Sequence, residues 1–115
     1  MAFSERFIFQ NCIGRSRHNW STGVISKESA VLITAAQWHF AEGIVGKAGR
    51  PILGDPGQEP NVYVTNIGPH GEPEGEAGGV EFLLHVESET PIDVVITVTV
   101  FEPVGSLTVF GSTLS

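Results

Sequence analysis

Residues 92–101 read Ile-Asp-Val-Val-Ile-Thr-Val-Thr-Val-Phe, between Pro91 and Pro103. Ile92, Val94, Ile96, Val98 and Val100 fall on one side of an extended chain, and Asp93, Val95, Thr97, Thr99 and Phe101 on the other. Period-two alternation in β-branched residues suits a pleated strand with one face buried. The first face is wholly aliphatic and needs a covering layer, so the stretch predicts an all-β domain built around this strand. The second face is only half polar. Water over it would waste Val95 and Phe101, whereas a partner sheet or another copy of the chain would cover them. Self-association into a homo-oligomer is the expectation.

Upstream, Val80 to Glu87 alternates with Val80, Phe82, Leu84 and Val86 inward. The short link Ser88–Pro91 predicts that this strand and 92–101 pair as an antiparallel hairpin. Asn61 to Ile67 sets Val62, Val64 and Asn66 against Tyr63, Thr65 and Ile67, and Glu5 to Ile13 is a further strand. Leu107 to Phe110 reads as the last strand. Gly14 to Ser21 reads as a polar turn holding Trp20. Gly46 to Pro60, with three prolines and four glycines, reads as a long loop whose Asp55-Pro56-Gly57 is a turn signal.

Ser26 to Val45 fits either period. As a helix, Val31, Ala35 and Trp38 share a stripe; as a strand, the Val31-Leu32-Ile33-Thr34 run has the stronger propensity. A strand over Ala30–Phe40 is the preferred reading. The strand density predicts one domain over 1–115, an antiparallel β-sandwich, jelly-roll or Ig-like, of about six to eight strands. The alternative is an α+β fold with one helix near 27–42.

Six basic against thirteen acidic residues leave a formal charge of −7. That balance argues against nucleic acid and against anionic membrane surfaces, which are bound through Lys and Arg. Cys12 is the only cysteine, so no internal disulfide forms, and it reads as a small core hydrophobe. No secretory signal is visible near Met1. A cytoplasmic location is expected, with export by a non-standard route as the alternative.

Candidate sites are few. Arg17, His18, Asn19 and Trp20 bring donors, acceptors and a flat ring together, which suits a small molecule or a glycan; Trp38 and Tyr63 are further rings with a polar edge. The competing reading makes both tryptophans plugs at the ends of the sandwich. His39, His85 and Glu81 are candidate metal ligands, with Glu42 as a substitute carboxylate, but no compact ligand spacing links them. Glu72, Glu74 and Glu76 lack the spacing of a calcium loop and read as a solvated excursion. Gly43-Ile-Val-Gly46-Lys47-Ala48 lacks the first glycine and the final hydroxyl of a phosphate loop. No serine sits in a Gly-x-Ser-x-Gly turn.

Two readings follow. One is a non-catalytic, lectin-like binding or assembly module without a cofactor, its ligand met by the loops Gly14–Gly23, Gly46–Pro60 and Gly68–Gly79. The other is a small enzyme that uses a divalent metal on His39 and His85 with a carboxylate.

Overall fold

In the computed structural model, which describes residues 2–44, 46, 48–71 and 77–111, the chain forms seven strands. They are β1 (Phe3–Cys12), β2 (Gly14–Ser21), β3 (Ser29–Phe40), β4 (Gly49–Ile52), β5 (Asn61–His70), β6 (Gly79–Glu87) and β7 (Ile92–Pro103). One antiparallel sheet, A, has the order β1-β7-β3-β4, and the other, B, has the order β2-β6-β5. The expected all-β, sandwich-like architecture is what forms.

The period-two reading of β7 identifies its buried face. Val94, Ile96, Val98 and Val100 line one side of the core and Val80, Phe82, Leu84 and Val86 the other. Ile25, in the loop between β2 and β3, is buried in the same cluster. Gly78 permits that plug: a Cβ there would press on the Ile25 carbonyl oxygen. Sheet A is strongly curled. Val95 faces away from the core yet is only 2% exposed, opposite Ile8 on β1 and Ala36 on β3. The half-polar second face of β7 therefore needs no further copy of the chain to cover Val95, although Phe101 does remain exposed.

The expected hairpin between 80–86 and 92–101 does not form. β6 is bonded to β2 and β5, and β7 to β1 and β3, so each has both ladder edges occupied in a different sheet. Ser88–Pro91 is a crossover between layers. Residues 29–40 are a strand, as the β-branched run favours, and only a short 3-10 turn follows at Ala41–Gly43. Gly14–Ser21, expected to be a turn, is the edge strand β2, held by β6 along its whole length. The stretch 46–60 contributes the short edge strand β4, with Pro51 opposite Trp38. Leu107–Phe110 is not a strand, because nothing among the described residues pairs with it.

The two flanks of the sandwich differ. On one, β3 and β5 lie close together, and the Lys27 N–H donates to the Gly71 carbonyl at 3.0 Å. On the other, no ladder joins β1 to β2; rings bridge the gap instead. Phe7 meets Trp20 edge-on at 4.9 Å, and Phe9 lies 4.5 Å from His18.

Candidate functional site

The cluster Arg17-His18-Asn19-Trp20 is divided by the strand it belongs to. Successive residues of β2 point to opposite faces of sheet B. His18 and Trp20 turn inward, His18 between Phe9 and Phe82 and Trp20 against Phe7. Burial pushes the His18 imidazole below the ordinary histidine range. Both rings serve packing rather than a loop-borne site. Arg17 and Asn19 turn outward: Arg17 Nη2 donates to Glu81 Oε1 at 2.8 Å, and Asn19 Oδ1 lies 2.8 Å from His70 Nε2.

Trp38 stands on the outer face of sheet A, in a different part of the fold. Its ring lies over Gly49, where a Cβ would meet Trp38 Cζ2 at 2.8 Å, and its buried indole N–H has no acceptor among the described residues. His39, the next residue, points the other way and is exposed. Among the described residues no three His, Cys, Asp or Glu side chains gather as a metal-holding group, so His39, His85 and Glu81 are not united. Glu81 is instead engaged by Arg17, whose hydrogen bond and charge hold its carboxyl below the usual range. His85 shares a 2.6 Å hydrogen bond with Thr65 Oγ1. Glu42 lies in the 3-10 turn, and Glu72, Glu74 and Glu76 lie outside the described residues. Cys12 is partly buried, and burial, then the Asp93 charge, push its thiol up.

The outer face of sheet B is where polar and aromatic groups converge. Tyr63 and His85 are opposite partners on β5 and β6, and their rings stack with centroids 4.5 Å apart. Stacking occupies one face of each ring, and Tyr63 keeps 40% of its surface exposed. Its hydroxyl donates to Glu87 Oε2 at 2.8 Å, while Asn61 Nδ2 donates to Glu87 Oε1 at 3.3 Å. The Glu87 bond, then burial and the carboxylate charge, push the Tyr63 phenol up. Beside this pair the β5–β6 ladder shifts register between Thr65 and Gly68, where Asn66 takes a left-handed conformation (φ 57). Such an unpaired insertion bends a strand. At that point a hollow of about 230 Å³ opens, lined by Arg17, Asn66, Gly68, Glu81 and Leu83.

A second, more acidic cleft of about 340 Å³ lies between the 55–60 loop and the 87–92 crossover, with Asp55, Glu59 and Glu89 on its walls. Glu87 lines it as well and so joins it to the Tyr63 pair.

Of the sequence candidates, sheet B thus brings Tyr63, His85, Glu81, Arg17 and Asn19 onto one face and removes His18, Trp20 and Trp38 from it. Sequence reasoning missed Asn61, Thr65, Leu83 and Glu87. The available signal was the outward phase of β5 and β6, in which polar residues alternate with a buried aliphatic set. No protein-family model, curated protein or solved structure matches this chain.

Proposed function

We propose that the chain is a non-catalytic, lectin-like β-sandwich module that binds a carbohydrate on the outer face of sheet B and associates with itself. The observation that carries the first half is the half-exposed Tyr63 ring, fixed by the His85 stack and by its hydrogen bond to Glu87, which lines the acidic cleft. A flat ring with a fixed orientation offers its face to the C–H groups of a sugar. Carboxylates and amides already held in place supply hydroxyl partners without fresh ordering cost: Glu81 and Glu87 accept, and Asn61 and Arg17 donate. The acidic balance of the chain favours a neutral glycan over a phosphorylated or sulfated one. The second half draws support from the exposed apolar segment after β7.

The test is a glycan array followed by titration calorimetry on any hit. Tyr63→Ala is expected to weaken binding about tenfold or more, while Leu53→Ser, an exposed change elsewhere, leaves it intact. An array without a hit, or a hit indifferent to Tyr63→Ala, would remove the assignment.

A further inference from the structure

We propose that residues 104–111 form a strand donated to the free edge of β1 in a second copy of this chain. The proposal rests on the self-association reading above and names the segment that joins the copies.

The donor is visible in its unpaired form. From Val104 to Gly111 the chain is irregular, and the last backbone hydrogen bond among the described residues runs from the Val104 N–H to the Glu28 carbonyl at 2.9 Å. Gly105 to Gly111 make no hydrogen bond among the described residues. Leu107, Val109 and Phe110 are 88%, 80% and 91% exposed. The segment Val-Gly-Ser-Leu-Thr-Val-Phe-Gly carries no charge in a chain of net −7, and Leu-Thr-Val-Phe favours strands. An uncharged, β-favouring segment held in water with its backbone unpaired is a strand without its sheet.

The acceptor is visible too. Among the described residues β1 is bonded only to β7, and nothing among them pairs with its other edge over its ten residues. It borders the open flank of the sandwich, where Phe7 and Phe9 are only partly buried. An eight-residue strand spans roughly 26 Å and fits within β1. Leu107 and Val109 share one face and would seat on Phe7 and Phe9; Phe110, on the other face, would lie beside Ile8. The remaining edges suit this less well. β4 is four residues long and contains Pro51, β5 lies against β3, and β2 is shorter than β1 and carries no aliphatic side chain.

The route favours a second copy over the same chain. The Glu28 bond holds Val104 on the β3 flank of β7, the flank away from β1. Returning to its own β1 would take the segment back across the end of β7. Phe3 of β1 pairs with Val100, however, so the donor's root and the acceptor's start lie close together. Two copies can therefore exchange segments reciprocally and close as a pair.

Sedimentation velocity at tens of micromolar, with amide exchange on the same samples, tests this. The wild-type chain is expected to sediment as two copies. The double substitution Leu107→Asp with Val109→Asp should sediment as one, keep its urea midpoint, and exchange the amides of residues 3–12 faster. An association that survives the double substitution overturns the donated strand and leaves self-association standing. A wild-type monomer overturns both. A monomer whose residues 107–110 are protected from exchange shows the segment docked on its own chain and also overturns the proposal.

Discussion

Tyr63 and His85 stand directly opposite each other on β5 and β6, their rings parallel to within 5°. The pair ties Tyr63 to Glu87 through its hydroxyl and His85 to Thr65 through its ring, so one cross-strand contact fixes four side chains. Tyr63 is the only tyrosine, and the tyrosinate absorbance band therefore reports this site alone. Ionisation is expected above the ordinary phenol range, because Glu87 accepts the phenol proton's hydrogen bond and repels the phenolate. Glu87→Gln should bring the titration back toward the ordinary value. A raised folded-state value means that this contribution to stability is complete below the ordinary phenol pKa and is lost as pH rises through the higher one. An unchanged titration in Glu87→Gln would show that the bond is not formed in solution.

His18 behaves in the opposite sense. Burial between Phe9 and Phe82 disfavours its charged form, so the unfolded chain takes up the proton more readily. Its contribution is complete above the ordinary histidine pKa of about 6.5 and is lost as pH falls through the lower folded-state value. Urea midpoints should decline from about pH 7 to 5. His18→Phe is expected to flatten that decline, and an equally steep profile in the variant would assign it elsewhere.

Val95 tests whether the outer face of sheet A is closed. It is as well buried as Val86, although the two lie on unrelated surfaces. Val95→Ala should cost about 2 kcal/mol in urea denaturation, of the same order as Val94→Ala in the main core. A cost near zero at Val95 alone would mean that water reaches this face.

Gly78 tests the close approach of the 22–25 turn. The Cβ of Gly78→Ala would press on the Ile25 and Thr22 carbonyl oxygens, both of them backbone atoms that cannot swing aside. A loss of about 1–3 kcal/mol is expected from overpacking. Gly23→Ala meets open space and serves as the neutral comparison in the same thermal melts. Equal melting temperatures would place the turn farther from β6.

The sequence by itself determined the faces of the strands. The aliphatic sets of β6 and β7 are legible because a residue's side of a strand follows from its parity, and both are buried as read except for Ile92, which is partly buried. The strand at 29–40 was legible through its β-branched run. Only the tertiary structure decided which strands are neighbours, since a four-residue link serves equally for a hairpin or for a step between layers. It also decided that the polar run Gly14–Ser21 is a strand, because an edge needs one ladder and one buried face, and β6 supplies both. The same rule explains Leu107–Phe110, which has the propensity of a strand but no ladder among the described residues. The candidate site was half legible for this reason: Tyr63, His85, Glu81, Arg17 and Asn19 could be named as chemistry, but their shared face is a consequence of register. Propensity and parity are local properties of the chain, whereas pairing is set by whichever distant segment completes the hydrogen bonds.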